Sequence, residues 1–233
     1  MADVCAALLL LADSRLPAGA HAHSGGLAAA VDTGRVRSIE DLAAFLAGRL
    51  ATAGLMAAGA AARAAAAVLP FAAEERLPVA SGSSDARLLL QRLDAEIDAR
   101  TPAPAARDAS RAQGRGLLRA VTRAWPSPLL DLLPQRPHHP VALGAAAVVV
   151  GAGPGDAARV AALLSVTGPA SAAVRLLGLD PLMVSTLLAR LAPEVDAVAD
   201  RAARPGELPA ASGPLLDLLA QAHARTEVRL FAS

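Results

Sequence analysis

Aromatic side chains are almost absent from this chain, and that limits the folds open to it. Four occur in 233 residues, Phe45, Phe71, Trp125 and Phe231, and there is no Tyr. The apolar fraction is nonetheless 54%, so the core has to be built from Leu, Val and Ala. Side chains this small suit closely spaced helices better than the thick interior of a β-sandwich. No stretch alternates apolar and polar residues long enough for a half-buried strand, whereas apolar residues at helical spacing recur throughout. The expected fold is all-α, a single globular domain of about eight to ten helices over residues 1–233. A chain of this length can bury a substantial core.

The pattern also places the elements. Val4 to Ala12 reads as a first core helix. Ser38 followed by Asp41 resembles a capping box with Asp in place of Glu. Leu42, Phe45, Leu46 and Leu50 then share one face, and the Ala-rich run that follows ends at Pro70. Another helix starts near Asp85, with Leu89, Leu93 and Ile97 on its apolar face, and a further one ends near Arg123. Five prolines between 126 and 140 mark a Pro-rich internal connection at about 125–140, in which His138 and His139 are expected to be solvated. Helices resume over Val141–Val150, Asp156–Leu179, Pro181–Ala203 and from Pro214 to near Arg229. Gly168 and Pro169 are expected to kink or break the second of these.

One segment departs from this composition. Asp13 to Leu27 holds one Pro, three Gly, two His and two Ser. Pro17 fixes one φ angle, and Gly19, Gly25 and Gly26 allow shapes closed to other residues, so a defined loop is expected, with Ser24 as N-cap of the next helix. His21 and His23 within it are the weak metal candidates. Neutral imidazoles bind Ni²⁺ and Zn²⁺ well, but a site needs three or four ligands and only Asp13, Asp32 and Cys5 lie within reach in sequence. No metal site is therefore expected, and His23 reads first as a structural or interface residue.

Other chemistry is excluded more simply. The Gly151, Gly153, Gly155 run lacks the Lys and Ser/Thr of a phosphate loop, and no Cys-x-x-Cys, His-Glu-x-x-His or Gly-x-Ser-x-Gly pattern occurs. Neither catalytic residues nor a stably bound cofactor is expected. All 22 basic residues are Arg, against 21 acidic ones, and a net charge of +1 speaks against a nucleic-acid partner. The single cysteine, Cys5, rules out an intrachain disulfide and fits a reducing cytoplasm. The longest uncharged stretch, 137–155, carries three Pro and four Gly, so no membrane span is expected.

Two features suit protein partners. Arg107, Arg111, Arg115, Arg119 and Arg123 recur every four residues opposite a face of Ala and Gly. Such a ridge is either a solvated face or, through Arg107, Arg111 and Arg115, a contact for an acidic partner. At the C-terminus, Phe231 sits between Leu230 and Ala232, either tucked into its own core or offered to a partner.

Five segments, in order, resemble signatures of the urease accessory protein UreF family. The first is DSRLPAGAHAHSGGL, in which Asp13, Ser14, Leu16, Pro17, Gly19, His23, Ser24, Gly26 and Leu27 match. The others are Leu93–Arg119, HPVALGAAAVVVG from His139, SAAVRLLGLD from Ser171, and PLLDLLAQAHARTEVRLFAS from Pro214. The resemblance implies a non-enzymatic, cytoplasmic, homodimeric chaperone of nickel urease maturation. It would bind UreD (UreH in some systems) and recruit the GTPase UreG, and the assembled complex would hand nickel to the urease apoprotein. By position it implies a UreD/UreH-side contact at His223, Arg229, Leu230, Phe231 and Ser233. It likewise implies a dimer or GTPase-facing role for the loop residues Asp13, Ser14, Leu16, Pro17, Gly19, His23, Ser24 and Gly26. The chain departs from the pattern at His21, where the family has Phe, at Ala28, where it has Glu, and at Gly178-Leu179-Asp180. Two rival readings are a nickel carrier using His21 and His23, and an unrelated helical ligand-binding domain.

Overall fold

Alanine and glycine bring the central helices of this molecule unusually close together. The computed structural model describes residues 6–13, 16, 23–73, 81–211, 213–226 and 231. The helices are α1 (Ala6–Ala12), α2 (Leu27–Asp32), α3 (Ile39–Arg49), α4 (Leu55–Val68), α5 (Ser81–Arg100), α6 (Pro104–Ala124), α7 (His139–Val149), α8 (Pro154–Leu177), α9 (Pro181–Ala202) and α10 (Pro214–Ala224). A π-helical turn, Leu50–Gly54, joins α3 directly to α4, so these two form one rod and the described residues hold nine rods. No strand occurs among the described residues. The fold is all-α, as the sequence pattern predicts.

α4 lies at the centre, packed against α5, α7, α8 and α9. Its Ala58, Ala60, Ala61, Ala64 and Ala65 are fully buried. At the crossing with α7, a Cβ on Gly144 would lie 2.3 Å from the Ala61 carbonyl oxygen and 2.7 Å from the Ala64 Cβ. Only glycine allows the two backbones to approach so closely. Leu42, Leu46 and Leu50 seal the near end of the rod, each 2% exposed or less, and a buried Leu contributes about 1.5–3 kcal/mol.

Local signals mostly hold, with three shifts. Ser38 caps α3, its hydroxyl accepting from Asp41 N–H, while the Asp41 carboxylate accepts from Arg37 N–H. Ser24 is not the N-cap residue of α2; Gly26 holds that place with φ 92°, but the buried Ser24 hydroxyl still accepts the Ala28 N–H at 3.1 Å. On α5 the apolar face is Ala86, Leu90, Leu93 and Ile97, whereas Leu89 is 53% exposed. Packing chose the face one residue along, because Leu88, Leu89 and Leu90 are consecutive and only one of them can point inward.

Pro169 does not break α8, which runs unbroken from Pro154 to Leu177. Proline removes the N–H that would bond the carbonyl four residues back. That carbonyl is Ser165, and here it accepts Arg49 Nε–H at 2.9 Å instead. α10 ends at Ala224, and residues 227–230 of the expected longer helix lie outside the described residues. Two helical stretches, Ile39–Phe71 and Pro154–Leu177, are long and apolar enough to cross a membrane by length and composition. Both contribute to the packed centre just described.

Candidate functional site

Segments far apart in the sequence meet at one cleft of about 300 Å³. His23, Gly25 and Gly26 come from the first loop, Ser110 and Gln113 from α6, His139 from the start of α7, Arg175 from α8, and Leu216 and Asp217 from α10. All five family-like segments therefore contribute to its wall. The start of α2 lies beside α10, a Cβ at Gly26 falling at contact distance from Leu216 and Leu219, 3.8 and 3.9 Å. The N-terminal loop and the C-terminal helix, read separately from the sequence, are neighbours. Asp13 and Leu16 are half-buried at the end of α1. Ser14, Pro17, Gly19 and His21 lie outside the described residues, as do Arg229, Leu230 and Ser233.

Arg49 is the basic group set deepest in this wall. Beyond the Ser165 carbonyl it donates from Nη1 to the Gly25 carbonyl at 2.7 Å. A Cβ on Gly25, whose φ is 62°, would lie 2.9 Å from the Arg49 Cζ, so glycine there makes room for the guanidinium. Among the described residues no carboxylate pairs with Arg49, and burial pulls its pKa down to about 10. The other basic residues of the cleft are engaged. Arg100 pairs with Glu96 at 2.5 Å, and Arg175 lies 4.6 Å from the Phe231 ring centroid.

Behind the cleft is a polar network that the sequence reading missed. His138, expected in solvent, is wholly buried. Its Nε2 lies 2.9 Å from Asp98 Oδ1 and its Nδ1 3.0 Å from Ser110 Oγ, while its backbone N–H donates to Asp94 Oδ1 at 2.8 Å. Arg111 donates to Asp94 Oδ2 at 2.8 Å, to Asp98 Oδ2 at 2.5 Å and to the Arg136 carbonyl. The network thus ties α5, α6 and the Pro-rich connection together. That connection is packed rather than solvated, since Leu129, Leu130, Leu132 and Leu133 within it are buried. The available signal was the pair Asp94 and Asp98, one turn apart beside the apolar face of α5.

The tautomer follows from the partners. A carboxylate only accepts, so Nε2–H of His138 donates to Asp98 and Nδ1 accepts the Ser110 hydroxyl. Ser110 Oγ in turn accepts the His139 N–H at 3.3 Å. Ser, His and Asp are the parts of a nucleophilic triad, but here the imidazole is sealed and the serine oxygen is held by backbone. The arrangement fastens three segments. It also corrects the arginine ridge: Arg111 serves the chain's own carboxylates, and Arg107 donates to the Thr101 and Pro102 carbonyls. Arg115 has its Nη1 buried without a hydrogen-bond partner among the described residues.

The two described C-terminal candidates, Phe231 and His223, are turned inward. Phe231 is 3% exposed and His223 4%, with His223 Nε2–H donating to the Phe231 carbonyl at 3.0 Å. Partner contact through these two side chains requires their release. Phe231→Ala is expected to lower stability by about 3 kcal/mol, the low end for a buried phenylalanine because it lies near a chain end. Thermal unfolding of the variant checks this.

Titration adds a second expectation. Burial, and then the neighbouring His23, push the half-buried His139 down to about 4. Burial also lowers His138, outweighing the pull of Asp98. Both imidazoles are neutral in the fold and titrate near 6.5 when unfolded, so stability is lost as pH falls from about 6.5 towards 4. Burial would raise Asp98, but hydrogen bonds from Arg111 and His138 outweigh it and hold the carboxyl below 3.8. Its contribution is present above that value and is lost on further acidification. Melting temperatures across this range should fall in two stages, and His139→Gln should flatten the first.

Among the described residues no three His, Cys, Asp or Glu side chains are placed to hold a metal ion. The UreF family pattern matches residues 36–192. Over 227 residues the chain is 48% identical to the urease accessory protein UreF of Mycobacterium sp. (strain JLS), covering 97% of each chain. It is 46% identical over 230 residues to the protein of the same name from Mycolicibacterium vanbaalenii, covering 98% of each. To that of Mycobacterium tuberculosis (strain ATCC 25618 / H37Rv) it is 41% identical over 228 residues, covering 98% of each. The chain belongs to the UreF family, and is a urease accessory protein rather than the urease enzyme itself.

Proposed function

We propose that this protein is a cytoplasmic, homodimeric chaperone of nickel insertion into urease. It bridges UreD (or UreH) and the GTPase UreG while the assembled complex delivers Ni²⁺ to the urease apoprotein. The observation that supports this most is the convergence of all five family-like segments on one cleft. Segments from both ends of a chain that meet at a surface are what a bridging protein needs. Binding at one part of that surface then alters affinity at another, which orders partner arrival and release. No catalytic residue in the chain is required. The guanidinium groups of the cleft repel a dication, which weighs against nickel carriage at His23, the described member of the His21 and His23 pair.

The experiment is complementation. In a urease-positive bacterium lacking its own copy of this gene, urease protein should accumulate with little nickel and little activity, and this gene should restore both. Normal nickel content in the deletion strain would contradict the proposal.

A further inference from the structure

We infer that the cleft is a receptor for a single acidic side chain, a Glu or Asp carboxylate presented by a partner protein and received by Arg49. The inference is independent of which maturation protein supplies that side chain.

An arginine carries five N–H groups, and Arg49 uses two of them on the Gly25 and Ser165 carbonyls. Both bonds fix the guanidinium without neutralising it. Ser165 presents a carbonyl only because Pro169 leaves it without a helical partner, and Gly25 leaves space for the guanidinium only because it lacks a Cβ. The π-helical turn that begins at Leu50 sets where Arg49 points, and Gly54 within it allows close approach to Ser165, whose Oγ would lie 2.6 Å from an added Cβ. π-turns of this kind are frequent at functional sites. Three glycine or proline features from separate segments thus hold one cation in place.

The rest of the wall asks for the same ligand. Thr167, Ser171 and Gln113 supply neutral polar groups, while the Ser110 proton is taken by His138 and Asp217, a carboxylate of the wall, accepts the Ala103 N–H at 3.3 Å. Between them lie Ala53, Met56 and Leu164. A carboxylate on a methylene stem meets both surfaces, the fork of Arg49 and the apolar walls. A phosphate meets only the first.

The test uses the whole protein and follows the Arg49 Nε–H resonance by NMR, titrating N-acetylglutamic acid α-amide, its glutamine counterpart, and inorganic phosphate. The expected result is a saturable shift with the glutamate probe, at millimolar affinity, and none with the glutamine probe. Arg49→Gln tests the cation. Ala53→Glu tests the site without removing it, because it places a carboxylate in the cleft four residues along the same rod. Ala53→Glu should weaken the probe by about tenfold or more, the loss of a charge-assisted hydrogen bond, without lowering the melting temperature. Tighter binding of phosphate would make this a small-anion pocket and overturn the inference. Equal binding of the two amides, or probe binding unchanged in both variants, would also overturn it. Conversion of the protein to monomer by Arg49→Gln would assign the cleft to a second copy of this chain instead.

Discussion

Gly144→Ala is expected to destabilise the protein by about 3 kcal/mol or more, the upper end for an overpacked core. The added methyl would lie 2.3 Å from the Ala61 carbonyl oxygen and 2.9 Å from the Ala65 N. Neither atom belongs to a side chain that can swing aside. Relief requires α7 to back away from α4 along one of the two most extensive helix–helix contacts among the described residues. Against a total stability of about 5–15 kcal/mol, that change removes a large share. Gly48→Ala is the control: it is exposed within α3, nothing lies within 4 Å of the added methyl, and helix propensity favours Ala by about 1 kcal/mol. Urea midpoints of the two variants should move in opposite directions.

The second large effect is expected at Arg111. Arg111→Met leaves Asp94, 6% exposed, without its guanidinium and removes one of the groups that hold Asp98 ionised. Breaking one side of a buried ion pair costs about 3–5 kcal/mol, mostly because the remaining charge is stranded. The value should lie near 3, since Asp98 is 40% exposed and water can take over part of its solvation. Adding Asp94→Asn to Arg111→Met should recover part of the loss, because the amide oxygen still accepts the His138 N–H while the stranded charge is gone. A double-mutant cycle in denaturant measures the coupling. Additive losses would mean that Arg111 acts on Asp94 no more than a solvated arginine would.

The helices were legible in this sequence because its signals are local. Ser38 and Asp41 announce α3, and prolines open α6, α8, α9 and α10 at positions where a missing N–H does no harm. Leu89 against Leu90 was not legible, because three consecutive leucines fit more than one register and only the packing of α4, α7 and the short helical turn Pro128–Leu132 against α5 decides. Nor was the continuity of α8 through Pro169, which depends on Arg49, 116 residues earlier at its bond to Ser165. His138 was misread for the same reason. Its sequence neighbours include two prolines and the exposed Gln135 and Arg136, while the groups that bury it, Asp94, Asp98 and Ser110, lie 28 to 44 residues away. The family-like segments could be found one by one in the sequence, but not the fact that they share a cleft. Arg49 carried no sequence signal at all. It stands in an ordinary helical pattern and becomes distinctive only because no carboxylate among the described residues pairs with it.

The most direct measurement is the mass of the complex formed when this protein is mixed with its UreD counterpart, by size exclusion with light scattering. A single heteromeric species containing both chains is the predicted result. Two separate peaks, with both proteins folded and soluble, would contradict the account.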